Sequence, residues 1–311
     1  MTIAFLFPGQ GSQAVGMGKG FYESSTGAKA IFEEANEALG FDLARLVFEG
    51  PETELALTAN TQPAVLTASV AAATACAERG LKPTLAAGHS LGEYTALVVA
   101  GALRFADAVR IVRKRGEFMQ EAVPVGTGAM AAIMGIELPA VEQVCADAAQ
   151  GEVVEIANVN SALQIVIAGH RTAVERAVAL ATERGGKMSV MLPVSAPFHC
   201  SLMGPAGARL VPELEAAPVT DPRVPVVRNV DAGVTRRAEE VRPFLLRQVA
   251  SPVRWTECIQ RLASEGATAF VEVGPGRVLS GLLRRIVNGA RGQSIEDPAG
   301  LEKALAAAKT P

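Results

Sequence analysis

The chain contains no uninterrupted run of about 20 apolar residues, so no segment is built to span a bilayer as a helix. Its four cysteines, Cys76, Cys145, Cys200 and Cys258, lie at least 55 positions apart, which excludes metal-knuckle and redox-pair spacing. They read as buried thiols of a reducing compartment. Neither sign of charge dominates: 29 Lys and Arg face 32 Asp and Glu, a formal net charge of −3. That balance gives no electrostatic case for a nucleic-acid or membrane-surface partner. The opening Met1–Pro8 segment has no basic residue ahead of its short apolar run, unlike a secretory signal, so the cytoplasm is the expected location. Histidine is scarce, with three in 311 residues. Apolar residues are plentiful, at 49% of the chain, enough for a large core without disulfide or metal support.

The first half alternates short apolar runs with helical spacing. Strands are expected at 3–7 and 84–88, and helices at 27–39, 62–79, 91–100 and 106–122, the 62–79 helix buried on most sides. Such alternation argues for an α/β fold with a parallel sheet covered on both faces. Beyond the hinge-like Gly126-Thr127-Gly128 the pattern becomes β-α-β-β-α-β over 129–193, with Asn160-Ser161 as a hairpin turn. A small ferredoxin-like subdomain, 126–194, is therefore expected inside a discontinuous large domain formed by 1–125 and 195–311. Strands at 225–228 and 269–273 and helices at 243–250, 255–265 and 277–287 complete the large domain. The polar tail from Asn288 is expected to be loosely held.

The sharpest motif is Gly88-His89-Ser90-Leu91-Gly92, a G-x-S-x-G between a strand and a helix. A serine on that tight turn is lifted clear of the sheet, and the Leu91 N–H points at the same spot as its hydroxyl, where it can bind an oxyanion. A serine hydroxyl needs a base. His89, next to Ser90, should point to the opposite side. His170 sits in a surface-turn context after a strand of the insert. His199 lies where the chain re-enters the large domain, a place where clefts form, and is preferred. Near the N-terminus, Gly9-Gln10-Gly11-Ser12-Gln13-Ala14 matches a relaxed dinucleotide fingerprint, but Glu33 and Glu34 fall in a helical pattern instead of at a second strand end. The other reading is that the loop offers the Gln10 N–H as a second oxyanion donor. In Arg113-Lys114-Arg115, the first two read as solvated. Arg115 is the candidate for holding a substrate carboxylate in a bidentate pair.

Taken together, these residues resemble the malonyl-CoA:acyl carrier protein transacylases of bacterial fatty acid synthesis, and are similar to the acyltransferase domains of polyketide and animal fatty acid synthases. The matching features are Phe7-Pro8-Gly9-Gln10-Gly11-Ser12-Gln13, Gly88-His89-Ser90-Leu91-Gly92-Glu93-Tyr94, Arg115-Gly116, Gly126-Thr127-Gly128-Ala129-Met130, Asn158, Pro197-Phe198-His199, Asn229, Gln248 and Val273-Gly274-Pro275-Gly276. They span nearly the whole chain, and its length looks like that of the discrete bacterial enzyme. The resemblance implies an α/β-hydrolase-like large domain with a ferredoxin-like subdomain. It implies Ser90 as nucleophile, His199 as general base and acid, the N–H groups of Gln10 and Leu91 as oxyanion hole, and Arg115 as partner of the malonyl carboxylate. Gln248 would orient His199 through its main-chain carbonyl, so its side chain should tolerate change better than His199. Asn158 and Phe198 would border the acyl group, the Phe198 ring leaving little room for an α-methyl branch. The resemblance further implies malonyl-CoA and a holo-acyl carrier protein as partners, no cofactor or metal, and a monomer. Lys187, Arg284 and Arg285 are candidates for docking an acidic carrier protein. A serine hydrolase or thioesterase, and a non-catalytic carrier-binding scaffold, are the alternatives; Arg115 weighs against the first, and the intact Ser90, His199 and Arg115 against the second.

Overall fold

The computed structural model describes residues 2–194, 196–290 and 292–308. The chain opens with β1 (Ile3–Phe7), passes through short helices α1 (Lys19–Ser24), α2 (Thr26–Leu39), α3 (Leu43–Glu49) and α4 (Glu52–Leu55), and enters the long α5 (Thr58–Glu78). Then follow β2 (Leu85–Gly88), α6 (Leu91–Val99) and α7 (Phe105–Glu121). The middle holds β3 (Gly128–Met134), α8 (Leu138–Ala149), β4 (Val154–Ser161), β5 (Gln164–His170), α9 (Arg171–Glu183) and β6 (Met188–Met191). The last third contains α10 (Gly204–Ala216), β7 (Val226–Val227), β8 (Val234–Thr235), α11 (Ala238–Val249), α12 (Trp255–Ser264), β9 (Ala269–Val273), α13 (Val278–Ile286), β10 (Gly292–Ile295) and α14 (Pro298–Ala308).

Two sheets result. The first runs β10-β9-β1-β2-β7-β8, parallel throughout except for β8 at its edge. Period-two alternation divides its side chains between two layers. Phe5, Phe7, Ala86, Val226, Val271 and Val273 face the helices α2, α5 and α7, whereas Ala4, Leu6, Leu85, Ala87, Val227 and Phe270 face α12 and α13. Burial on both faces explains why these strands read as continuous apolar runs. The second sheet, β4-β5-β3-β6, is antiparallel throughout. Ala129, Ala131, Ile133, Ile165 and Ile167 pack under α8 and α9, while Met130, Ala132, Val166 and Ala168 join the core of the first sheet. The second sheet is also tied by backbone to the segment between α11 and α12: Val159 N donates to Val253 O at 2.9 Å and Val253 N to Ala157 O at 2.9 Å.

Several elements depart from the expectations. Helix α5 starts at Thr58, not 62, with Pro63 inside it. Pro63 cannot bond the Ala59 carbonyl, and Arg113 Nη1 donates to that oxygen instead, at 3.0 Å. Arg113 is thus a half-buried structural residue, not the solvated one its basic neighbours suggested. Asn160 and Ser161 lie within β4, so the hairpin turns at 162–163. Helix α11 begins at Ala238, five residues before Pro243, because Glu240 Oε2 accepts from Arg237 N at 3.1 Å and Asp221 Oδ1 from Ala238 N at 2.7 Å. The tail is not loose: β10 pairs with β9, and Leu301 and Ala304 are buried against the core. Helices α1, α3, α4 and α10 and strand β8 were not expected. Residue 195, the expected return to the large domain, and 309–311 lie outside the described residues.

The two loops that leave β1 and β2 are pressed backbone to backbone. A Cβ on Gly92 would stand 2.1 Å from Phe7 O, one on Gly88 would stand 1.9 Å from the Gly92 carbonyl, and one on Gly9 would stand 2.5 Å from His89 O. None of these neighbours is a flexible side chain. Gly92→Ala should therefore destabilise the protein by about 3 kcal/mol, measured as a fall in urea midpoint at unchanged m-value.

Candidate active site

Ser90 links β2 to α6 with φ 52° and ψ −107°, an unfavourable conformation for a residue with a side chain. Three hydrogen bonds hold it there. Ser90 N donates to Asn229 Oδ1 at 2.7 Å, Asn229 Nδ2 donates to Gly88 O at 2.8 Å, and Gln248 Nε2 donates to Ser90 O at 3.0 Å. The Leu91 N–H opens α6, where helix geometry supplies no carbonyl four residues back. Gln10, on the loop after β1, borders the same cavity and anchors its side chain by donating from Nε2 to Thr58 Oγ1 at 3.2 Å.

His199 meets Ser90 from the segment between β6 and α10. Its own φ is 61°, and it is 4% exposed. The preceding turn is fixed by Pro197, whose ring fills the space over Gly128. His199 Nε2 lies 2.7 Å from Ser90 Oγ, and Nδ1 lies 3.0 Å from the Gln248 carbonyl oxygen. A carbonyl can only accept, so Nδ1 carries the proton and Nε2 is left as the base. Burial, and next the nearby Arg115 charge, depress its pKa to about 3. The ring is therefore neutral at physiological pH, with its Nε2 lone pair directed at the Ser90 hydroxyl.

Arg115 is 2% exposed and is brought in by α7. Nη1 donates to Gln62 Oε1 at 2.7 Å, and Nη2 to Ser90 Oγ and Gln248 Oε1, both at 3.0 Å. Its Nε, also buried, has no partner. Glu93 and Gln248, both buried, complete the set: Glu93 Oε2 accepts from Gln248 Nε2 at 2.8 Å. A nucleophile, a neutral base and a fixed cation thus share one point, an arrangement that can form a serine ester with an acyl group bearing a free carboxylate.

Ser90, His199, Arg115, Gln10, Leu91, Phe198 and Asn158 all line one cavity, walled otherwise by Gln62, His89, Met130, Leu192 and Val194. The cleft continues past His89, Asn158 and Asn160 to Val278 and Leu282 of α13. Another hollow, between β9 and α14, is lined by Phe270, Val271 and Ala304 among others, and among the described residues it offers no histidine, cysteine or charged side chain. His89 points away from Ser90, its Nε2 donating to Asn160 Oδ1 at 2.9 Å. His170 stands at the end of β5, its Nδ1 accepting from Val153 N at 2.9 Å. Lys187, Arg284 and Arg285 are exposed, and Arg285 Nη1 donates to Gln164 Oε1 at 3.0 Å beside the cleft. All four cysteines are buried and free. Among the described residues no group of His, Cys, Asp and Glu could hold a metal ion, and no helix is long and apolar enough to cross a membrane.

Sequence reasoning assigned no role to four working parts: Gln62, Glu93, Asn229 and the side chain of Gln248. Glu93 left a signal, as the only charged residue in a mostly apolar Leu91–Val99. For Gln248 the resemblance implies a main-chain role only. Its side chain bridges Arg115, Glu93 and the Ser90 carbonyl. Gln248→Ala should lower turnover about 100-fold by releasing the guanidinium, against up to about 10,000-fold for His199→Ala, which removes the base; steady-state kinetics on both compares them.

An acyl transferase domain model matches residues 4–303. The malonyl CoA-acyl carrier protein transacylase of Bacillus subtilis strain 168 is 50% identical over 304 residues, covering 97% of this chain and 96% of that protein. An acyl carrier protein S-malonyltransferase from Vibrio cholerae superposes with a TM-score of 0.95 at 48% identity, covering 98% of this chain and all of that one (100%). A malonyl-transacylase solved in complex with its type II polyketide synthase acyl-carrier protein superposes with a TM-score of 0.96 at 46% identity, covering 99% and 100%.

Proposed function

The chain belongs to the acyl transferase family, and on that premise we propose that it moves malonyl from malonyl-CoA to the thiol of a holo-acyl carrier protein in fatty acid biosynthesis. The observation that carries this reading is the Arg115 guanidinium 3.0 Å from Ser90 Oγ. A malonyl ester on Ser90 places its carboxylate one methylene beyond the acyl carbonyl, within reach of that cation. A simple esterase has no use for a buried cation there.

Ser90 Oγ attacks the thioester carbonyl while His199 Nε2 takes its proton. The Gln10 and Leu91 N–H groups receive the oxyanion, and collapse of the intermediate expels the CoA thiolate, which takes the proton from His199. The carrier-protein thiol then reverses these steps. The Gln248 carbonyl does for His199 what a carboxylate does in the usual triad, fixing tautomer and ring direction. Phe198 and Asn158 border the acyl group, and Phe198 favours malonyl over methylmalonyl. Transfer instead of hydrolysis rests on a water-poor cavity and a thiol delivered at high effective concentration.

The 126–194 segment serves as a ferredoxin-like subdomain whose inner face closes the cavity over Ser90. Lys187, Arg284 and Arg285 receive the acidic carrier protein. The protein acts as a monomer in the cytoplasm and without a cofactor, coenzyme A being a substrate.

Intact mass after mixing with malonyl-CoA alone tests the reading. A malonyl adduct that maps to Ser90 and discharges onto holo-carrier protein is expected, and Ser90→Ala should give none. Release of CoA and malonate without an adduct would establish a hydrolase instead. Arg115→Ala should cut malonyl transfer by about 100-fold or more, the loss of a charged hydrogen-bonded partner, while leaving acetyl transfer less affected.

A further inference from the structure

Glu93 is the only charged residue of α6 and is 2% exposed, in a helix otherwise made of Leu, Gly, Tyr, Thr, Ala and Val. A buried carboxyl is costly unless its surroundings offset it. Its Oε2 accepts from Asn229 N at 3.0 Å and from Gln248 Nε2 at 2.8 Å. Both donors belong to residues that hold the reacting groups. Asn229 fixes Ser90 N and Gly88 O at 2.7 and 2.8 Å. Gln248 accepts from Arg115 Nη2 at 3.0 Å, donates to Ser90 O at 3.0 Å and, through its carbonyl, receives His199 Nδ1 at 3.0 Å.

The amide orientations are forced by chemistry. Turning Gln248 over would set its NH2 against the guanidinium and its oxygen against the Glu93 carboxylate. Turning Asn229 over would set its NH2 against the Ser90 N–H and its oxygen against the Gly88 carbonyl. Each amide has one orientation that satisfies all its neighbours.

We propose that Glu93 is a positioning residue for the transfer reaction: one carboxylate oxygen, acting through Asn229 and Gln248, sets both the elbow that carries Ser90 and the direction of the Arg115 guanidinium. The proposal rests on the malonyl-transfer reading for what Ser90 and Arg115 do. It assigns Glu93 no contact with substrate. Gln248 lies between the cation and the anion with its oxygen toward one and its NH2 toward the other, a dipole aligned by both charges.

The setting also gives the brace a pH dependence. Burial raises the Glu93 pKa to about 7, opposed by the bonds from Gln248 and Asn229 and by the charges of Arg228 and Arg115. The other titratable groups around it stay neutral near that pH: burial pushes Tyr94 up to about 12 and Cys258 well above its usual range, and depresses His199 to about 3. The ionised carboxylate makes the stronger bonds. The brace is therefore complete above about pH 7 and weakens as pH falls through that value.

The test compares wild type with Glu93→Ala, Glu93→Asp and Glu93→Gln in rapid acylation by malonyl-CoA and by acetyl-CoA, with thermal melts alongside. Glu93→Ala should slow malonyl-enzyme formation about 100-fold and narrow the preference for malonyl over acetyl about tenfold. Glu93→Asp, one methylene short, should reproduce much of that loss. Glu93→Gln presents a carbonyl to the same two N–H groups, so most of the rate should return at pH 8. It should also lack the wild-type decline below about pH 7. The inference is overturned if Glu93→Ala, melting near wild type, acylates at the wild-type rate. It is equally overturned if malonyl and acetyl suffer alike while Glu93→Gln keeps the wild-type pH profile. Should Glu93→Ala not fold, the pH profile of Glu93→Gln decides between these outcomes. Failure of wild type itself to take up malonyl would overturn the functional reading instead.

Discussion

Everything at this centre depends on how closely the backbones leaving β1 and β2 approach each other. Parallel pairing brings Phe7 beside Gly88, and the two chains then turn in contact, with no room for a Cβ at Gly9, Gly88 or Gly92. This one constraint puts the Gln10 loop, the Ser90 hydroxyl and the Leu91 N–H at the same point. It also explains why Ser90 can persist at φ 52°. A strained residue survives only where its surroundings over-determine it, and here Asn229 and Gln248 hold it from both sides.

The second requirement is to keep a guanidinium out of water without neutralising it. Arg115 meets two glutamine oxygens and the serine hydroxyl, and among the described residues no carboxylate pairs with it directly. A direct ion pair would compete with a substrate carboxylate for the same cation. Neutral acceptors leave the charge available, and Glu93 supplies compensating charge at one remove through Gln248. After burial, the same cation helps keep His199 unprotonated, so on the malonyl-transfer reading the residue that would meet the acyl carboxylate also bears on the protonation of the ring.

How much of this could be read from the sequence follows from the range of each interaction. Ser90 was legible because its motif is local, and the apolar run Ile3–Phe7 that marks β1 is local too. His199 was reached by elimination among three histidines, which works only because the others are so few. The β-α-β-β-α-β order came from periodicity, while its hairpin turn was misplaced because Asn160 and Ser161 have turn chemistry yet lie in a strand paired with β5. The tail after Asn288 read as loose because its four-residue strand is polar except for Ile295, and its pairing with β9 is invisible to local pattern. Gln248 and Glu93 are 155 positions apart. Nothing in either neighbourhood announces the other, and a side-chain amide that joins two charges across such a separation becomes visible only in the fold.

The geometry also bears on why one site can serve two partners. The oxygen to be acylated lies at the inner end of a cleft that passes His89, Asn158 and Asn160 before reaching Val278 and Leu282. A donor and an acceptor that both present a thiol on a long, slender arm can use that passage in turn, but not together. On the malonyl-transfer reading, the order of events is then a consequence of shape: CoA must leave before the carrier thiol can enter, and the acyl group must wait on Ser90 in between. Waiting is safe only if the ester is held where water cannot be activated against it. The base that would activate water is the ring that His199 directs at Ser90 Oγ, fixed by the Gln248 carbonyl behind it. A malonyl group drawn toward Arg115 occupies the space beside that ring, so the contact that selects the substrate also limits its hydrolysis. Selection and protection are in this way a single consequence of placing a cation within hydrogen-bonding distance of the nucleophile.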